Sequence, residues 1–227
     1  QPLKASGSAV IHFFELNPRA VPIRISGTTR AEVEWQPGEA PGVTGSVRLQ
    51  EAGTPRIGAD GVSARFQYDD ATLQIPTLNV DAYGGKITAT ESRFNTRNQK
   101  WQTELEYAHM DLESLMGAFE IRGEKTPGGV LRGQMNLSGT GMNPETFDGE
   151  GQLRIDRGRL YNFPVLLSVF SVLDLGLPNQ SPVSDALGTY TIGRGTLTIE
   201  DLVFSGGGGM PVHITGTVSL EEGGKLK

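Results

Sequence analysis

The chain contains no cysteine in its 227 residues. That removes disulfide scaffolds, thiolate zinc centres and cysteine nucleophiles together. Aromatic residues are only 7 % of the chain and charged residues 20 %. The balance of 20 basic against 26 acidic residues gives a net charge of −6. A net acidic chain without a basic stripe is poorly suited to wrapping a phosphate backbone, so nucleic acid is not an expected partner. No apolar run approaches the roughly 20 residues that a spanning helix needs. The sequence opens on Gln1 and carries no signal peptide. It reads as a piece of a longer protein, with any membrane anchor outside it.

Glycine is abundant, with 31 residues, about twice ordinary usage. The glycines have no three-residue period, which excludes collagen. The dominant pattern is two-residue alternation. Val212, Ile214, Val218 and Leu220 share one face of a segment whose other face carries His213, Thr215, Thr217 and Ser219. That spacing predicts a half-buried strand of about nine residues and roughly 30 Å. Leu197/Ile199, Leu153/Ile155, Met135/Leu137, Val62/Ala64/Phe66/Tyr68, Leu78/Val80/Ala82 and Val47/Leu49 alternate in the same way. Turn signals separate them at Asp69-Asp70, Tyr83-Gly84-Gly85, Gly128-Gly129, Gly193-Arg194-Gly195 and the glycine run 206–209. The fold class expected is mainly β: an antiparallel curved sheet forming an open groove or partial barrel. A sandwich buries such faces equally well, and periodicity does not choose among these.

Two segments have helical periodicity. Residues 111–119 place Leu112, Leu115, Met116 and Phe119 on one face behind Asp111 as N-cap. Residues 164–175 begin with Pro164 at a tolerated position and are apolar around most of their circumference. At about 12 residues the second is too short to cross a bilayer. A glycine–apolar–glycine rhythm recurs in 133–139, 149–158, from Gly195 and from Gly216. It fits either a sheet grown from similar units or ordinary hairpins.

Chemistry-bearing residues form no catalytic pattern. His12, His109 and His213 are scattered, without the spacing of a metal site. Ser184-Asp185 near Tyr190 lacks a Gly-x-Ser-x-Gly elbow and a paired histidine. The tetraglycine lacks the Gly-Lys-Ser/Thr of a phosphate loop and reads as a hairpin tip. Asp60, Asp69, Asp70 and Asp81 match no calcium loop. Trp35 and Trp101 have the chemistry to stack on sugars, although single tryptophans more often pack at a core or an edge. No enzyme activity, metal or cofactor is expected.

Several segments in order carry a family likeness: Ala108-His-Met-Asp-Leu-Glu-Ser-Leu-Met116, Gly133-Gln-Met-Asn-Leu-Ser-Gly139, and Gly149 through Pro164. Leu173-Asp-Leu-Gly-Leu-Pro178, Ser184-Asp-Ala and Tyr190-Thr-Ile-Gly-Arg-Gly-Thr-Leu197 follow. Their succession over roughly 100–220 resembles the C-terminal region of AsmA-like proteins, relatives of the TamB and YhdP group of diderm bacteria. Residues 1–100 fit as a β-hairpin region continuous with this AsmA-like region, 101–227. The resemblance implies a non-enzymatic, bridge-like lipid-transfer protein of the periplasm, attached to the inner membrane. In such a protein phospholipid acyl chains ride an apolar β-groove towards the outer membrane, with headgroups in solvent. The groove candidates are Leu153, Ile155, Leu197, Ile199, Val212, Ile214 and Val218 on strands, with Leu166, Phe170 and Leu173 on the second helix. The competing reading is a structural or carbohydrate-binding β-sandwich of a secreted or surface protein.

Overall fold

The computed structural model describes residues 3–16, 23–35, 42–53, 58–118, 128–158, 160, 183–206 and 211–220. Within them the chain is mainly antiparallel β. Its strands are β1 (Leu3–Leu16), β2 (Ile23–Trp35), β3 (Gly42–Gly53), β4 (Gly58–Ala59), β5 (Gly61–Asp69), β6 (Thr72–Ala82) and β7 (Gly85–Asn95). They continue as β8 (Lys100–Asp111), β9 (Val130–Thr140), β10 (Asp148–Asp156), β11 (Asp185–Gly193), β12 (Thr196–Ser205) and β13 (Val212–Ser219). The 13 strands form one sheet, in which all but the two-residue β4, which pairs only with β3, follow one another as a meander with β1 and β13 at its ends. The sheet is open, since β1 and β13 do not pair. Residue 100, the expected seam between two regions, lies in β8, which pairs antiparallel with β7.

Tight turns hold the meander together. The pairs Asp70-Ala71, Tyr83-Gly84 and Arg194-Gly195 all have positive φ at both positions, 38° and 63°, 52° and 68°, 52° and 70°. That is the backbone of a type I′ hairpin, whose twist matches the flanking strands. The turn after β7 uses a side chain instead. Asn95 Oδ1 accepts from the backbone N–H of Arg97 at 3.0 Å and of Asn98 at 3.1 Å, the Asx geometry. A 3-10 turn, Pro144–Thr146, joins β9 to β10, capped by Asn143, whose Oδ1 accepts from Glu145 N at 3.1 Å.

The alternation changes phase along several strands. Leu197 and Ile199 are followed by Leu202 and Phe204, and Ile87 and Ala89 by Phe94. A sheet without irregularities would throw the later residues onto the opposite face. Register shifts sit at those points: between Ile199 and Leu202, Thr90 and Arg93, and Tyr107 and Met110. Glu91 and His109 occupy two of them with φ of 49° and 57°. Each bulge absorbs the phase change and returns the following apolar residues to the common face.

One helix follows β8. The 111–119 expectation is realised as α1 (Leu112–Ala118), with Phe119 outside the described residues. Asp111 caps it as expected, its Oδ1 accepting from Ser114 N at 2.7 Å. Leu112 and Met116 face down into a closed cluster with Ile155, Leu160, Ala186 and Phe204. Residues 164–175, and so the second expected helix, lie outside the described residues.

In β9 and β10, glycine is required by close approach. Tyr107 lies across Gly133, and Tyr190 across Gly151. A Cβ at Gly151 would stand 2.5 Å from the Tyr190 ring and 2.8 Å from Gln134 O. Gly151→Ala is therefore expected to cost about 1–3 kcal/mol through overpacking. Denaturant unfolding should show most of that loss recovered when Tyr190→Ala is combined with it. An equal loss in both backgrounds would separate the glycine from the ring.

Candidate functional site: the apolar face of the sheet

Strand pairing aligns the inward residues of ten strands into continuous rows. One row runs Val47, Ala64, Leu78, Ala89, Leu105 and Met135 from β3 to β9. It continues through Gly151, Tyr190, Ile199 and Gly216 to β13. The next row passes from Leu49, Val62, Val80, Ile87 and Tyr107 to Gly133, Leu153, Gly188, Leu202 and Ile214. Nine strand spacings separate the ends of each row, roughly 43 Å at the usual inter-strand distance. The opposite face presents Gln102, Glu104, Glu106, Asn136 and Glu150, all exposed.

Among the described residues the apolar face is fully buried at one end and half-buried along the rest. Under α1, Ile155 is 5 % exposed, Phe204 2 % and Leu160 fully buried. Leu131, Leu153, Val183, Leu202, Val212 and Ile214 pack against that cluster. Away from it Val47, Leu78, Leu105, Leu137, Leu197, Ile199 and Val218 are only half-buried. The seven candidates on described strands thus share one face but divide by environment. Ile155 belongs to the buried cluster and Leu153, Val212 and Ile214 pack against it, whereas Leu197, Ile199 and Val218 are half-buried outside it. Leu166, Phe170 and Leu173 fall outside the described residues.

Two hydroxyl pairs lie on the apolar face. The Tyr107 and Tyr190 hydroxyls lie 3.3 Å apart, and Tyr107 also donates to Gln152 O at 3.1 Å. Burial raises the ionisation of both phenols above the ordinary tyrosine range, and Tyr190 adds to the effect on Tyr107. Ser92 Oγ and Thr103 Oγ1 form the other pair at 2.7 Å. Both pairs satisfy their hydroxyls within the sheet, so neither leaves an unpaired polar atom in the row.

Strands β8 and β11 contribute inward residues that are not among the groove candidates. Trp101, Thr103, Leu105 and Tyr107 alternate with Gln102, Glu104 and Glu106, a readable signal in β8. In β11 the inward set is Ala186, Gly188, Tyr190 and Ile192, where two small residues weaken the apolar alternation. Trp101 donates from Nε1 to Gly141 O at 2.7 Å and packs edge-on against Phe147, with ring centroids 5.3 Å apart. It is a packed residue at the sheet margin. His109 sits exposed on its bulge, and His213 Nδ1 lies 3.0 Å from Asp201 Oδ1 on the outer face. Among the described residues no three acidic or histidine groups converge as metal ligands, and no helix is long and apolar enough to cross a membrane. Ser184 Oγ donates to Asp185 Oδ2 at 2.6 Å at the start of β11.

The outer face carries two shallow hollows of about 700 and 620 Å³. They share Glu104, Asn136, Glu150 and Thr191. No aromatic side chain alternates onto that face between β3 and β13 among the described residues. The class defined by fold and site is an open antiparallel meander with one continuous apolar face and one polar face. Comparison with protein-family models, curated proteins and solved structures finds no match for this chain.

The tyrosine pair gives the site a pH signature. Both folded-state values lie above the ordinary value of 10.0. The unfolded chain therefore releases these protons first. The pair's stabilisation is complete below pH 10 and is lost as pH rises through the raised folded values. Denaturant midpoints should fall from about pH 10 upward, and less steeply in Tyr107→Phe. Identical slopes in the two proteins would remove the pair as the cause.

Proposed function

We propose that this chain is a segment of an AsmA-like envelope protein whose apolar β-face binds phospholipid acyl chains and conducts them between inner and outer membranes. The parent protein acts in the periplasm, attached to the inner membrane, and the chain itself does no catalysis. The observation that supports this reading is the pair of rows running across ten strands, half-buried away from α1. The ordered resemblance over 100–220 points the same way.

The energetics suit conduction. Each methylene withdrawn from water gains about 0.8 kcal/mol, so an acyl chain needs apolar contact along its whole path. Contacts of this kind are non-directional. Successive positions along a row then have similar affinity, and a chain passes from one to the next without a deep trap. The satisfied hydroxyl pairs add polarity without an unpaired group that would repel hydrocarbon. The sandwich alternative draws on the outer-face hollows, yet these lack the aromatic platform that sugar binding favours.

Two substitutions on one face test the proposal. Ile199→Asp lies on the accessible part of the row, whereas Ile214→Asp lies against the closed cluster. Native mass spectrometry and lipid extraction of the wild-type chain should reveal co-purifying phospholipid. Ile199→Asp should lose that lipid and keep its β circular-dichroism signature. Ile214→Asp should lose the fold, because an unpaired charge enters packed surroundings. A lipid-free, cooperatively unfolding wild-type monomer would overturn the groove. Unfolding of Ile199→Asp would overturn it equally, by showing that position to be closed core.

A further inference from the structure

The outer face of the sheet holds a charge arrangement that ladder stability does not explain. Register sets Arg154 of β10 directly opposite Arg132 of β9. Like charges in that relation weaken a sheet. Asp156 holds them in place: Arg154 Nε donates to its Oδ1 at 2.6 Å, and a terminal nitrogen of Arg132 reaches its Oδ2 at 3.0 Å. The hydrogen bond from Arg154, joined by the charges of Arg132, Arg154 and Arg157, keeps the Asp156 carboxyl below the usual carboxylate range despite opposing desolvation. Asp185 acts on Arg154 as a further negative charge. Three guanidiniums thus face two carboxylates, an excess of positive charge in a chain of net charge −6.

Exposure separates the two signs. The Arg132 and Arg154 side chains are 54 % and 51 % exposed, whereas Asp156 is 23 % exposed. The guanidiniums front the solvent, with the carboxylate set behind them. Arg154 spends its Nε on Asp156 and stays half exposed, and a guanidinium's two terminal nitrogens form a fork of the kind that matches phosphate oxygens. On its other side Arg154 stands in register with Leu187. Leu187 is 55 % exposed and, with Met142, one of two exposed large apolar residues among those described. Val203 continues the same cross-strand row.

We infer that Arg132 and Arg154 form an anion site for a phosphate ester on the outer face, and that Leu187 beside it selects phosphate carried on an amphiphile. Asp156 is a positioning residue that keeps the two guanidiniums side by side. The site lies on the face opposite the apolar rows and does not depend on their carrying lipid.

Nuclear magnetic resonance of the arginine Nε–H groups tests this with three probes. They are inorganic phosphate, a short-chain phosphatidic acid below its micellar concentration, and the matching diacylglycerol without phosphate. Phosphatidic acid should shift the Arg132 and Arg154 signals at about tenfold lower concentration than inorganic phosphate, because only it gains apolar contact. Diacylglycerol should leave them unmoved. Arg154→Gln should weaken phosphatidic acid binding about fivefold. Leu187→Gln, at an exposed position that leaves the fold intact, should reduce its affinity to that of inorganic phosphate. Silence with both phosphate probes would overturn the site. Equal affinity for the two would overturn selection of an amphiphile, and an equal response to diacylglycerol would overturn recognition of phosphate. The Ile199 methyl signals report on the apolar rows in the same titration. Ile199→Asp should leave the arginine response unchanged, so failure of one reading is distinguishable from failure of the other.

Discussion

The two-residue period of a paired strand leaves no tolerance for error: one slip carries every following side chain to the wrong face. In a meander each strand inherits its register from the one it pairs with before it, so an uncorrected slip would also propagate. The chain meets this constraint at two levels. Two-residue I′ hairpins fix the register where the chain reverses. Bulges then restore it within β7, β8 and β12, where the alternation itself changes phase. The continuous rows, the division between apolar and polar faces and the opposition of Arg132 to Arg154 all follow from that register.

Packing on the common face is uneven, and small residues account for much of the difference. Near α1 the large side chains Leu112, Met116, Ile155, Leu160 and Phe204 pack together, and burial is nearly complete. In the middle rows Gly133, Gly151 and Gly188 leave the backbone bare. Tyr107 and Tyr190 lie over two of these gaps and complete the surface without raising its height. The floor there is built from ring faces and backbone, with both hydroxyls engaged. A taller side chain at either glycine would meet the ring above it.

Much of this architecture was legible in the residues. Alternation in β3, β5, β6, β9, β10, β12 and β13 announced antiparallel strands, and the Gly-rich pairs at 83–85 and 193–195 marked their hairpins. Asp111 was recognisable as a cap because its carboxylate precedes an apolar helical stripe. Strand adjacency was not legible in the same way. Leu153 and Leu197 belong to different rows, with β11 between their strands, because alternation identifies a face but not a neighbour. The small inward residues Ala186 and Gly188 concealed β11 from an apolar pattern. The partnership of Arg132, Arg154 and Asp156 depends on cross-strand register, which no single-strand pattern contains. The division of the candidates between closed and accessible surroundings depends on α1 covering one end, a tertiary fact.

The distribution of polarity bears on why the sheet stays open. Ordinary soluble monomers seldom leave contiguous apolar patches beyond a few hundred square ångströms in water. Rows spanning ten strands extend well past the part that α1 covers among the described residues. Closing the sheet into a barrel would remove that surface from solvent and also remove the two free edges. The meander instead remains open, and its accessible rows retain a driving force for contact with hydrocarbon. In the proposed lipid path, accepting a chain at one point and releasing it at another needs that condition along its length. A face fully satisfied by its own core would have nothing to offer a passing acyl chain, and one with strong directional contacts would hold it still.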